Sequence, residues 1–444
     1  MNMWYEILYL ILSIINYVVL GIIGIPLLVQ VLFVLFAWVK KKTYPRSSKK
    51  GKIAYIIPAH DEEDVIYKTV KDILDNQIYP KELFDVFVIA DNCTDETYKL
   101  AVAAGAKVLM HNDSNPAHHM ALYPLKYGID YILNLEHPYD MIIHLDADNH
   151  INKEFSSLMN DAYQSGVDFA RPYEGALNAT QNFFTKACTL FYTFDSRYGS
   201  RVRERLNLAA HINGSGAMMS VKMLKVCGGY DSTTISDDTE FNFNRMLEGY
   251  KGHYVEDAVV YEDMPSSFKD TLNRNKRIFN GGMKLLKTKL LKLFKKFFTT
   301  GRVSYIETFL SYIFIFLSFI LATWIPLYYF YDFWFLSLAS SGSIEVTYQT
   351  TSYYDSLLWN TIWIGGGNLI GLFVFFGILQ GLILVIIDYK KIGAKNRREL
   401  ISAALLFPCF LFIYIITLCC GAFSKPKWNK IKRNQFNEEE SIDC

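Results

Sequence analysis

Two aspartates spaced one apart, Asp146 and Asp148, close the apolar run Ile142-Ile143-His144-Leu145. A β-type run ending in paired carboxylates delivers hard oxygen ligands to the carboxyl end of a strand, where α/β folds bind their ligands. Such a pair can hold Mg²⁺ or Mn²⁺ and leave coordination positions open for a diphosphate. Alone, D-x-D is a weak signal, and a solvated turn is its plain alternative. Other clusters stand in order around it. The strand-like Phe84–Ala90 ends at Asp91-Asn92-Cys93-Thr94-Asp95. Ser236-Asp237-Asp238-Thr239-Glu240 precedes a helix-like run to Leu247, and Arg274-Asn275-Lys276-Arg277 supplies cations further on. A carboxylate can take the proton of an attacking hydroxyl, and an arginine can neutralise a departing diphosphate. Asp238 could also cap its helix, and the two roles are compatible, because caps sit at exposed helix starts.

The elements that must carry these groups alternate. Ile53–Pro58 reads as a short buried strand, followed by a polar turn at His60–Asp64 and a helix to Leu74. Phe84–Ala90 is a second strand and Ala106–Leu109 a third after another helix. Strands alternating with helices predict a mainly parallel sheet with ligands at the strand carboxyl ends, where Asp91 and Asp146 both fall. Neither G-x-G-x-x-G nor G-x-x-x-x-G-K-[ST] is present, so no dinucleotide fingerprint or P-loop accounts for a nucleotide site.

Composition places this block in a hybrid chain. Of 444 residues, 51% are hydrophobic and 16% aromatic, too apolar for an ordinary soluble enzyme, yet 20% are charged. Apolar residues concentrate in Trp4–Val39, Ile306–Leu338, Leu357–Ile387 and Leu400–Phe423, each long enough to cross a bilayer. The basic stretch from Lys40 to Lys52 marks its side as cytosolic. The reading is therefore a multi-pass plasma-membrane protein: an N-terminal anchor over 1–45, a cytosolic catalytic domain over 46–283, a basic amphipathic interfacial helix over 284–303, and a membrane region over 304–424. That last region holds two to three spans, Pro408 making a re-entrant segment the alternative to a full final span, and a basic then acidic tail, 425–444, is expected in the cytosol. Leu286, Leu290, Leu293, Phe294 and Phe297 form an apolar stripe among lysines, expected to lie on anionic lipid. Seven cysteines without C-x-x-C pairing imply neither zinc nor a disulfide framework, and a net charge of +1 gives no reason to expect nucleic acid.

The ordered set Ile57-Pro58-Ala59-His60-Asp61-Glu62-Glu63, Ala90–Asp95, Leu145–Asp148, Asn213-Gly214-Ser215-Gly216, Ser236–Glu240 and Tyr261–Pro265 with Arg274–Arg277 resembles family 2 of the nucleotide-sugar glycosyltransferases. More narrowly, it is similar to the membrane-embedded synthases of cellulose, hyaluronan and poly-N-acetylglucosamine, over roughly residues 50–290. The resemblance implies a GT-A-type α/β domain inserted between transmembrane helices. It assigns Asp91 to the nucleotide base, with Pro58, His60 and Glu62 lining that pocket. Asp146 would meet the ribose or diphosphate and share the metal with Asp148. Asp238 would be the general base, and Arg277 with Arg274 would hold the diphosphate. Asn213, Gly214, Ser215, Asp237 and Ile278 fall on the acceptor side. The function implied is inverting, metal-dependent transfer from a UDP-sugar to a growing β-linked polysaccharide, coupled to translocation. The alternative is non-processive transfer to a membrane lipid. A transporter or an inactive scaffold is a different class, disfavoured by the large soluble block and the intact carboxylates.

This chain departs from the family at three positions. Arg274 and Ile278 replace Gln and Trp of Q-x-x-R-W, and His118 stands where a lysine is expected near the donor. His118 and His119 read as surface or packing residues, since no third ligand lies at helical spacing.

Overall fold

A computed structural model of the chain describes residues 3–115, 118–136, 138–212, 214–341, 356, 359 and 367–421. Asn213, the tail from 425 and most of the expected external loop lie outside the described residues.

Eight strands form one mixed sheet: β1 (Ile53–Ala59), β2 (Phe84–Asp91), β3 (Lys107–His111), β4 (Met141–His144), β5 (His150–Ile151), β6 (Phe169–Ala176), β7 (Met218–Ser220) and β8 (His253–Glu262), in the order β3-β2-β1-β4-β7-β6-β8-β5. The first four pair in parallel, as does β6 with β8, whereas β7 and β5 pair antiparallel with their neighbours. The expected parallel sheet is therefore confined to its first half, and the second half is mixed because two short strands run back through it.

Strand β1 shows why the sequence folds this way. Ile53, Tyr55 and Ile57 pack on one face against Ile66, Val70 and Ile73 of helix Ile66–Asn76. Ala54 and Ile56 pack on the other against Leu125, Ile129 and Ile132 of helix Leu122–Leu133. A strand covered on both faces needs a continuous apolar run, as Ile53–Ile57 is.

A second core joins this domain to the apolar helices. Helices Phe183–Phe194, Arg398–Leu405 and Phe407–Gly421 share buried Ala187, Leu190, Leu400, Ala404 and Phe410. Buried ion pairs tie the same parts together: Arg197 with Asp388, Lys391 with Glu256 at 3.0 Å, and Arg203 with Glu307 at 3.0 Å. Helix Met3–Leu35 lies beside helix Val303–Ser340, with Tyr9 stacked on Phe335 at 4.5 Å and Trp324 Nε1 donating to Asn16 Oδ1.

Two expectations change. Among the described residues, one helix, Ile7–Leu35, is by itself long and apolar enough to cross a membrane. Arg398–Leu405 and Phe407–Leu418 reach that length only together, and they are bent by 56° at Leu406, two residues before Pro408. The described residues therefore do not by themselves support the three or four spans counted from apolar runs, and the long helix Val303–Ser340 carries buried Glu307 and Asp332. The apolar stripe of 286–297 is also core rather than lipid-facing. Leu290 and Leu293 are fully buried with Phe243, Met246 and Tyr305, and Leu286 and Phe297 pack on the same cluster. Helical periodicity shows that a face is apolar but not what covers it.

Candidate active site

Strands β1, β2, β3, β4, β6 and β8 all run one way, so their carboxyl ends meet at one edge of the sheet, and β7, running back, begins there. This edge gathers Asp91, the Asp146–Asp148 turn, Glu262 and the glycine segment before β7.

On the β1–β3 side, Asp91 is buried and His60 Nδ1 sits 2.6 Å from its carbonyl oxygen. Parallel register sets Asp91 opposite His111, whose Nδ1 lies 2.7 Å from Asp91 Oδ1, and Tyr127 packs on the His111 ring. Glu62 donates its backbone N–H to Thr97 Oγ1, and Pro58 stays within β1. His118 is held by Asp113 at 2.7 Å and stacks on Tyr123 at 4.0 Å, a packing role.

The other side is organised by residues 214–216. Gly214 and Gly216 have φ of +75° and +78°, and a Cβ on Gly216 would lie 2.5 Å from Pro172 Cγ. Gly216→Ala should therefore cost about 2 kcal/mol from backbone strain alone, read as a lower denaturation midpoint. The turn joins two groups. Gly214 N–H donates to Asp238 Oδ2 at 2.5 Å, while Ser215 Oγ accepts the N–H of Asp146 at 2.9 Å and meets Asn149 Oδ1. Asp238 lies in the first turn of helix Asp237–Leu247, and its other oxygen accepts the N–H of Thr239. Asp237 beside it takes a hydrogen bond from Tyr230 and is pushed up to about 7 by burial and by the Asp238 charge. Ser236, which begins this helix, is pressed against Gly281 of helix Phe268–Leu285, where any Cβ would collide with Ser236 Oγ. The opposite side of that helix is held by the terminal one: Asn275 Nδ2 donates to Thr417 Oγ1 at 2.6 Å, and Asn280 Nδ2 to the Gly421 carbonyl at 3.0 Å. Arg274 lies over the Tyr192 ring at 4.8 Å and 3.6 Å from Glu262, Arg277 is half-buried on the same helix, and Ile278 is 39% exposed.

Residues 141–420, more than half of the chain, match the glycosyl transferase family group 2, and residues 55–122 match glycosyl transferase family 2. The chain is a family 2 glycosyltransferase. It is 22% identical over 396 residues to a probable glycosyltransferase of Sulfolobus acidocaldarius, covering 82% of each protein. A β-monoglucosyldiacylglycerol synthase of Nostoc is 26% identical over 202 residues, 44% of this chain and 41% of that one. Among solved structures, a mannosyltransferase from Pyrobaculum calidifontis in complex with GDP-mannose and Mn²⁺ matches with a TM-score of 0.50 at 14% identity, over 91% of this chain and 98% of that one. That likeness is one of fold.

The residues of this glycosyltransferase fit a divalent cation at the D-x-D. Asp148 is buried, and Glu262 is pushed up to about 8, first by burial, then by Glu174 and by Asp146 and Asp148, against the opposing pull of Arg274. Crowded carboxylates of this kind are the oxygen-rich surroundings that hard cations require. A second cluster, Asp61, Cys93 and Asp95, does not fit one. Asp61 already accepts from the N–H of Thr94, Asp95 accepts from the N–H and hydroxyl of Thr97, and burial pushes the Cys93 thiol up. These contacts clasp the ends of β1 and β2 together.

Glu262 also predicts a pH dependence. A carboxyl whose pKa is higher folded than unfolded binds more protons in the folded chain, so the stability tied to it is greatest below its ordinary value of 4.5 and falls as the pH rises toward 8. The melting temperature of metal-free enzyme should drop between about pH 5 and about pH 8, and Glu262→Gln should flatten that drop.

Several of these groups were not singled out from sequence. His111 lies two residues past the point where the apolar run of β3 fades. Arg171 and Glu174 are a buried pair, 2.8 Å apart, inside the fully buried strand β6. Two charges of opposite sign in a strand of that kind were the available signal.

Proposed function

We propose that the enzyme moves a sugar from a nucleotide-sugar donor, most simply a UDP-sugar, onto an acceptor hydroxyl by one inverting displacement at the cytosolic face of a membrane to which Ile7–Leu35 anchors it. The observation that carries this reading is the turn at 214–215, which joins Asp238 to the backbone of Asp146 and so fixes base and donor site relative to each other. Asp238 takes the acceptor proton as the acceptor oxygen attacks C1, and the bond from C1 to the diphosphate breaks with its electron pair leaving on the diphosphate. Asp148 with Asp146 would hold Mg²⁺ or Mn²⁺, which neutralises the departing diphosphate. Arg277 adds a positive charge for the same group. Asp91, oriented by His111, and His60 are assigned to the base, and Ser215, Asp237 and Ile278 to the acceptor side.

The leading version elongates a β-linked polysaccharide. Transfer to a membrane lipid is the second reading, favoured by the similarity to a glucosyldiacylglycerol synthase and by Ile278, which offers no aromatic platform for an acceptor sugar. Purified enzyme incubated with Mn²⁺ and radiolabelled UDP- and GDP-sugars, its products sized and partitioned between solvent and water, separates the two. A water-soluble polymer supports the first, a small solvent-extractable product the second, and no product from any donor sinks both.

A further inference from the structure

We infer that the outward face of residues 284–303, opposite the stripe that is core, rests on an anionic lipid surface as a contact separate from the N-terminal anchor. The inference takes from the reading above only that Ile7–Leu35 lies in a bilayer.

From Thr271 to Ile306 the chain has ten Lys and Arg and no Asp or Glu. Within that stretch, helix Leu291–Thr300 continues from Phe268–Leu285 through one wider turn at Leu286–Leu290 and stops at Gly301, whose φ is +68°. Leu290 and Leu293 turn inward to the core, and Lys289 reaches Glu240 at 3.9 Å. Lys284, Lys287, Lys292 and Lys295 are exposed instead, and none of the four pairs with an acid among the described residues. Like charges held three or four positions apart on a helix repel one another, a cost that an anionic surface removes. Apolar groups stand out among these lysines: Leu291 is 55% exposed, Phe298 70% and Val303 58%. Phe298 is braced by the rings of Phe294 at 5.1 Å and Phe297 at 5.2 Å, which hold it outward. Lysines around protruding apolar groups match the headgroup boundary of a bilayer, where the stems lie on lipid and the charges reach phosphate.

The neighbouring helices set the level of this face. Gln30 donates to Ser311 at 3.3 Å, while Tyr9 stacks on Phe335. The end of Ile7–Leu35 that leads into the basic stretch at 40–52 therefore lies beside the first turns of Val303–Ser340. The cationic helix joins that start through Gly301 and Arg302, so its outward face falls where Ile7–Leu35 leaves the apolar layer.

The anchor would keep every variant on the vesicle, so the readout must be local. Full-length enzyme is reconstituted in phosphatidylcholine vesicles with or without phosphatidylglycerol, each carrying acyl-brominated lipid that quenches tryptophan on contact. Phe298→Trp and, separately, Val303→Trp report from this face. Ile78→Trp, at a position 60% exposed in the connection into β2, reports from the amino side of the strands. Each is read as the difference from wild type in the same vesicles. F298W and V303W should be quenched about twofold or more strongly when phosphatidylglycerol is present, and I78W in neither vesicle. Lys287→Glu, Lys292→Glu and Lys295→Glu together should abolish that gain. Equal quenching with and without phosphatidylglycerol overturns the inference, as does a gain that survives the three reversals. Shielding of F298W and V303W from both bromolipid and aqueous acrylamide also overturns it, because protein, such as a second copy, would then cover the face. If the wild type's own tryptophans escape bromolipid as well, Ile7–Leu35 is not in the bilayer and both readings fall.

Discussion

Asp148→Ala should lower sugar transfer by about 10³-fold or more and remove the Mn²⁺-dependent part of nucleotide binding. Asp148 is buried past the end of β4, in a turn held by Asn149 and Ser215, so its carboxylate is fixed before any ligand arrives. Asp146 is half exposed and cannot supply the same fixed donor alone. The diphosphate would then enter an acidic pocket without its counter-ion. The fold should survive, since the substitution removes one of several repelling carboxylates around Glu262. Titrating UDP and GDP into the variant with and without Mn²⁺ checks this. Wild-type turnover in saturating Mn²⁺ would show that the metal is held elsewhere or not needed.

Asp238→Asn should leave the donor bound and slow transfer by about 10² to 10⁴-fold. An amide keeps one oxygen to accept the Gly214 N–H, so the turn that supports Ser215 and Asp146 stays in place, but it has no basicity with which to take a proton. The expected signature is a lower kcat with a nearly unchanged donor KM, measured beside a melting curve. If donor binding and melting temperature fall together, Asp238 is a structural residue of the helix start.

How far these groups could be read from sequence depended on how local their signals are. Strands β1, β2 and β4 are covered on both faces and announce themselves as unbroken apolar runs, and the D-x-D was legible because it closes one of them. The partner of Asp91 was not legible. His111 lies twenty positions away and is brought to it only by the register of two parallel strands. Arg171 and Glu174 were hidden for a related reason. A buried ion pair interrupts apolar periodicity and makes β6 look irregular, although the two charges sit 2.8 Å apart inside it. The stripe through Leu290 and Leu293 had the right period and the wrong partner, since Phe243, Met246 and a lipid tail present the same apolar surface to a helix.

The helix Phe268–Leu285 is clasped from both sides, by Ser236 against Gly281 and by the terminal helix through Asn275 and Asn280. It therefore works as a rigid lever between the last apolar helix and the turn that begins with Asp237. Under the proposed roles, the alignment of Arg274 and Arg277 with Asp238 and the seating of residues 407–421 are one mechanical quantity, and a version that ends before residue 407 would lose that alignment even though every side chain proposed for catalysis were still present.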